Sequence, residues 1–176
     1  SDLFGTRFQG LSRLRVSDGV FDSPYMDFAE LTINALHAYE DRVFVGTERG
    51  ISAFLIDKGE VKETYRQLIR FSKDTPVNAI AVHDGYLWAG TDLGIAWADL
   101  QQPNLQDPAS WESTTIMGRT VDFLVYSDTL FCVTANGVWT AAGGDRPWRD
   151  MYNPPDFIGL GLLEGRLVGA TRSGGF

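Results

Sequence analysis

A short phrase recurs along this chain: an apolar run, a threonine, two or three variable residues, a glycine, and a second apolar run. Its fullest form is Tyr86-Leu87-Trp88-Ala89-Gly90-Thr91-Asp92-Leu93-Gly94-Ile95-Ala96-Trp97. The turn threonines are Thr6, Thr47, Thr91, Thr134 and Thr171, at spacings of 41, 44, 43 and 37 residues. Glycines follow at Gly10, Gly50, Gly94, Gly137 and Gly174. A period near 40 residues with several short strands per unit is the mark of a β-propeller. Helical repeats of similar length would carry apolar residues every 3.6 positions. These units instead alternate, with β-branched and aromatic residues in the runs.

The third unit reads strand by strand. Residues 77–83 form a small, apolar first strand, suited to a crowded axis. Asp84-Gly85 makes a two-residue hairpin turn, where both positions favour positive φ. Residues 87–90 and 95–100 are the second and third strands. Between them the Thr91 hydroxyl can bond a turn amide, and Gly94 takes the left-handed backbone cheaply. A polar loop then leads to an outer strand at 111–116. By the same reading, the second unit turns at Glu40-Asp41 and carries its outer strand at 61–69. The first unit's outer strand is expected at 26–31, the fourth's at 148–152.

The expected fold class is therefore all-β, a propeller segment of four-stranded antiparallel blades, about four blade-equivalents in all. Residues 1–31 form a partial blade, 32–76, 77–119 and 120–156 three blades, and 157–176 a second partial blade. Both ends supply a second strand, so joining them leaves a surplus hairpin. The expectation is a segment of a six- to eight-bladed propeller, completed by further blades or by another copy of the chain.

Composition narrows the partners. The formal net charge is −8, from 23 acidic against 15 basic residues, which argues against nucleic acid, since phosphate binding needs a basic surface. No apolar run approaches the roughly 18 residues of a membrane helix, so no membrane insertion is expected. Cys132 is the single cysteine and cannot form an internal disulfide.

The pattern Val/Ile-Asn-x-Ile followed by Asp-Gly-x-Leu-Trp-x-Gly-Thr-x-x-Gly-Ile, met in residues 77–95, resembles the two-component-regulator propeller repeat. Such repeats fill periplasmic sensor regions of bacterial hybrid histidine kinases. Related ones occur in secreted and type IX secretion-associated propellers. The resemblance covers nearly the whole chain and is strongest in residues 32–119. The fourth unit departs from it at Cys132-Val133, where Ala-Gly is the norm, and the fifth reverses the pair to Gly169-Ala170. The resemblance implies an extracytoplasmic module, periplasmic or secreted, for sensing or interaction. No kinase or DNA-binding segment accompanies it in these residues.

Chemistry-bearing residues are few. His37 and His83 occupy unmatched repeat positions and have no neighbouring ligand spacing, so strand packing is the favoured role. Cys132 sits between Phe131 and Val133 and reads as a buried, inert thiol. The tryptophans fall on strands and should pack between blades. No metal, cofactor or catalytic set is expected. By analogy of architecture, a propeller's ligand face is made by its second-to-third strand turns and inter-blade connections. The residues brought there are Arg7, Phe8, Glu48, Arg49, Asp92, Leu93, Asn136 and Arg172 from turns, with Lys73 and Arg119 from connections.

The expected function is non-enzymatic binding or sensing of a protein, peptide or carbohydrate. One alternative is a propeller enzyme, of lyase or glycosidase type, with a site at the central channel. The other is a structural scaffold in a larger assembly.

Overall fold

In the computed structural model of the chain, residues 2–6, 10–22, 24–68, 71–115, 118–142, 148–152 and 157–171 are described. Among them the chain is all-β, apart from two short 3-10 turns. The first sheet holds β1 (Asp2–Thr6), β2 (Leu11–Arg15) and β3 (Val20–Phe21). The second holds β4 (Ile33–Tyr39), β5 (Arg42–Thr47), β6 (Gly50–Leu55) and β7 (Glu60–Tyr65). The third holds β8 (Val77–His83), β9 (Tyr86–Thr91), β10 (Ile95–Asp99) and β11 (Trp111–Thr114). The fourth holds β12 (Thr120–Tyr126), β13 (Thr129–Thr134), β14 (Gly137–Ala142) and β15 (Arg149–Tyr152). The last is the hairpin of β16 (Phe157–Leu163) and β17 (Arg166–Thr171). Every pairing is antiparallel between sequence neighbours, as in propeller blades.

The hairpin turns follow from backbone preference. Asp84 and Gly85 have φ of 53° and 77°, and Glu164 and Gly165 have 51° and 75°. Two-residue turns of this hand match the twist of the strands that they join. The first strands of the last four sheets, β4, β8, β12 and β16, each carry a register shift one residue in, between Ile33 and Ala35, Val77 and Ala79, Thr120 and Asp122, and Phe157 and Gly159. Such bulges bend a strand locally, here at one repeated position.

The core lies between the sheets. One apolar layer joins Phe44, Ile51 and Tyr65 of the second sheet to Val77, Ile80, Leu87 and Trp111 of the third. Another joins Trp88, Ile95 and Trp97 of the third to Phe123, Leu130 and Cys132 of the fourth. Leu11 and Phe28 meet Val43, Val45 and Phe54 at the first junction. Phe131, Val133 and Val138 meet Leu160 and Leu167 at the last. Close approach of neighbouring blades explains two glycines. A Cβ on Gly46 would sit 3.1 Å from both the Ile80 side chain and the Val77 carbonyl of the next blade. A Cβ on Gly90 would collide with the Thr120 side chain.

Three expectations about outer strands are corrected. The first sheet's outer strand is β3, not residues 26–31, where Met26–Phe28 forms a 3-10 turn. The reason is local. Gly19 has φ 70°, its amide donates to the Arg15 carbonyl, and the Val20 amide donates to the Asp18 carboxylate. Asp18-Gly19 thus turns the chain straight back, and the Arg13–Asp22 ion pair at 2.7 Å stitches the return. The outer strands β7 and β11 also end early, at Tyr65 and Thr114. Their last carbonyls lie against Gly50 and Gly94, where a Cβ would collide with them.

Candidate interaction face

The Thr-x-x-Gly turn is a rigid frame with exposed tips. The Thr91 hydroxyl donates to the Gly94 carbonyl at 2.9 Å and accepts from the amides of Leu93 and Gly94, each at 3.1 Å. Thr47 donates to the Gly50 carbonyl and accepts from the Arg49 amide. Thr134 donates to the Gly137 carbonyl and accepts from the Asn136 amide. All three threonines are essentially buried, so each hydroxyl does the work of a missing strand partner. Gly50, Gly94 and Gly137 have φ of 107°, 146° and 144°, a region costly for residues with a Cβ. Glu48, Arg49, Asp92, Leu93 and Asn136 project between these fixed points. Leu93 is 50% exposed, a large apolar side chain left in solvent.

The structure brings some of these tips together and leaves others apart. Asp92 accepts from Arg119 Nε at 3.0 Å and from Asn78 Nδ2 at 2.8 Å. Asn78 lies at the bulge of β8 and also reaches the Thr120 carbonyl at 3.5 Å. Asp92 and Arg119, both expected at the face, therefore clasp each other across the third and fourth blades. Glu48 turns back on its own blade: its carboxylate accepts from the Thr32 amide at 3.1 Å. Hydrogen bonds from the Thr32 side chain and amide hold that carboxyl below its ordinary range. Arg49 is only 3.9 Å from Glu48 and its side chain is 58% exposed. Lys73 is exposed next to Asp74, whose carboxylate takes two hydrogen bonds from Arg66, at 2.6 and 2.9 Å. That pairing, helped by Lys73 and Arg49, keeps the Asp74 carboxyl below its usual value. Arg7, Phe8 and Arg172 lie outside the described residues.

Beside Arg49 runs a surface groove with two adjoining cavities, of about 310 and 360 Å³. Both share Asp27, Leu31 and Arg49. One wall is the 26–31 connection between the first two sheets. The other is the outer half of the second blade.

The sheet order, the buried threonine frames and the inter-blade layers describe a propeller. Residues 24–112 match the family of the N-terminal β-propeller domain of PorZ, of the type IX secretion system. The chain belongs to this family. Solved structures share the fold of this PorZ-type propeller. The extracellular domain of BT4673 from B. thetaiotaomicron, described as a hybrid two-component system, superposes with a TM-score of 0.72 at 15% identity, over 97% of this chain and 24% of that one. PorZ of Porphyromonas gingivalis, described as an essential bacterial surface component of the type IX secretion system, gives 0.61 at 16% identity, over 91% and 27%. The computationally designed protein Ika8 gives 0.65 at 10% identity, over 93% and 50%. The chain thus spans half of Ika8 and about a quarter of the two bacterial proteins. No curated protein matches it significantly.

Within this PorZ-type propeller the other sequence candidates are packing residues. His37 Nε2 accepts from the Val82 amide of the next blade at 3.1 Å, and burial lowers its pKa below 6.5. His83 is buried, and its carbonyl accepts from Trp88 Nε1 at 3.3 Å. Cys132 is fully buried, with its thiol pushed up to about 12 by burial. Trp88 packs between blades, 5.4 Å from Trp148 in an edge-on contact. Four residues of the face were not singled out from sequence: Asp27, Glu30, Arg66 and Asn78. For Asn78 a signal existed, because Asn34 and Asn78 share one repeat position. The others come from connections with no repeat to align them.

Proposed function

We propose that this chain is part of a non-enzymatic, extracytoplasmic interaction propeller, which docks its partner on the face made by the Thr-x-x-Gly turns and inter-blade connections. One observation carries the reading: a buried, hydrogen-bonded frame is repeated from blade to blade, while the tips that it holds differ in every blade. Frames that rigid lower the entropic cost of presenting side chains to a partner. The named roles of PorZ as a surface component and of BT4673 as an extracellular domain support an extracytoplasmic setting. Further blades, from more chain or another copy, complete the ring in this reading. The central-channel enzyme is disfavoured by His37, whose ring nitrogen is committed to holding the Val82 amide.

Bulky blocking tests the reading. A Leu93→Cys variant, labelled with polyethylene-glycol maleimide, presents a plug on the turn face. Ser127→Cys presents the same plug on the opposite hairpin face. Buried Cys132 does not compete for the label. In the full chain as its cell makes it, the plug at position 93 abolishes co-isolation of the bound partner and the plug at 127 leaves it intact. The reverse pattern contradicts the assignment of the face.

A further inference from the structure

The groove beside Arg49 has opposite charges on its two walls. Asp27 and Glu30 stand on the 26–31 connection, and Arg49 and Arg66 on the second blade. Among the described residues no ion pair joins the walls. Arg66 is already held by Asp74 in a two-point pair. Arg49 has only the loose Glu48 contact, and Glu48 is itself engaged by Thr32. Arg49 is thus the cation on this wall without a committed carboxylate, and exposed Lys73 adds to the positive potential around it. Asp27 and Glu30 are exposed. Half-buried Leu31 and Val61 supply an apolar floor, with Ser52 and Thr64 hydroxyls beside them.

The geometry points to a peptide-docking groove, in which an extended segment of a partner protein sets a carboxylate side chain on Arg49 and a cationic side chain on Asp27 and Glu30. This rests on the turn face being the docking face and names the kind of chain that it takes. Arginine is well suited to a carboxylate, since its fork offers paired donors. Recognition of acidic motifs by arginine is a recurrent peptide-binding mode. A carbohydrate is less well served, because among the described residues no aromatic side chain lines either cavity to stack on a sugar ring. The two cavities adjoin and open to solvent along the groove, which suits an extended chain better than an enclosed small molecule.

The test is a charge-swap cycle with a short fluorescein-labelled peptide carrying neighbouring aspartate and lysine, read by fluorescence anisotropy. Arg49→Glu and Glu30→Lys each weaken binding about tenfold or more, a coupling of the size expected for close charge pairs. Lys58→Glu, the same charge change on the opposite face, alters it less than about twofold. With asparagine replacing aspartate in the peptide, the Arg49 effect disappears. With glutamine replacing lysine, the Glu30 effect disappears. All three variants are exposed and keep the wild-type unfolding midpoint. No binding by the wild-type chain, equal loss in all three variants, or tighter binding of an acidic oligosaccharide overturns the proposal. If the plug at position 93 blocks the cellular partner while Arg49→Glu leaves the peptide untouched, the groove fails and the face stands. If the plug at 93 has no effect, the face itself fails.

Discussion

The junction between the third and fourth blades and that between the fourth and the last hairpin use one backbone plan with different side chains. At the former, Gly90 sits where a Cβ would strike Thr120, in the first strand of the next blade. At the latter, the same repeat position is Val133, fully buried among Val121, Leu124, Leu160 and Leu167. The partner across the ladder changes as well, from Ala79 opposite Gly90 to Asp122 opposite Val133. Burial raises the Asp122 carboxyl above its ordinary value, with an opposing hydrogen bond from the Phe123 amide. Near the turn of the last hairpin, Leu162 and Leu163 stay in solvent, at 50% and 64% exposure. At Gly90 the bare backbone lies against the Thr120 side chain of the next blade, whereas at the other junction the Val133 side chain fills the equivalent seat. The repeat phrase therefore sets what fills the seat between neighbours, as well as where strands turn.

The largest effect comes from moving the valine seat. Gly90→Val overpacks the third junction and lowers stability by about 3 kcal/mol, the upper part of the usual range for overpacking. Urea unfolding followed by tryptophan fluorescence measures it. Ala170→Val, at the equivalent but exposed position of β17, changes stability by less than about 0.5 kcal/mol. Equal costs at the two sites break the comparison. Next, Thr91→Val strands the amides of Leu93 and Gly94 at a cost of about 2 kcal/mol, while the Gly94 carbonyl keeps its bond from the Thr91 amide. Faster hydrogen exchange confined to the amides of that turn is its signature. Val133→Ala then removes buried methyl groups from the last junction and costs about 1.5 kcal/mol. A near-zero value shows the valine to be a spacer without packing strength.

The smallest effect is on pH. His37 must be neutral at Nε2 to accept the Val82 amide, and its folded pKa lies below 6.5. The unfolded chain therefore binds more protons in this window. Stability falls as pH drops below about 6.5 and continues to fall through the folded value. His37→Gln flattens that part of the pH profile. An unchanged profile removes His37 from the second junction's account.

Much of this was legible because the physics is local and repeated. Thr-x-x-Gly and Asp-Gly mark turns through backbone freedom and a short-range hydroxyl bond, so the residues around Thr91 and Asp84 could be placed from sequence. Asp18-Gly19 carries the same signal, and the outer strand Val20–Phe21 follows it directly, although the sequence reading places that strand at 26–31. The seat at Gly90 was visible as a repeated glycine. Its reason, the Thr120 side chain of the next blade, was not. The interaction face was harder still. Asp92 could be placed on a turn tip, but its clasp with Asn78 and Arg119 depends on how two blades abut. The groove walls at Asp27 and Arg66 come from connections whose lengths differ between units.

Site-specific photo-cross-linking tests the central claim most directly. A photoreactive residue is placed in turn at Arg49, Leu93 and Asn136 on one face, and at Glu40, Asp84 and Asp128 on the other, in the full chain as its cell makes it. The account predicts that the first three positions capture one common partner and the second three do not. Capture of that partner from the hairpin face, with none from the threonine turns, contradicts it.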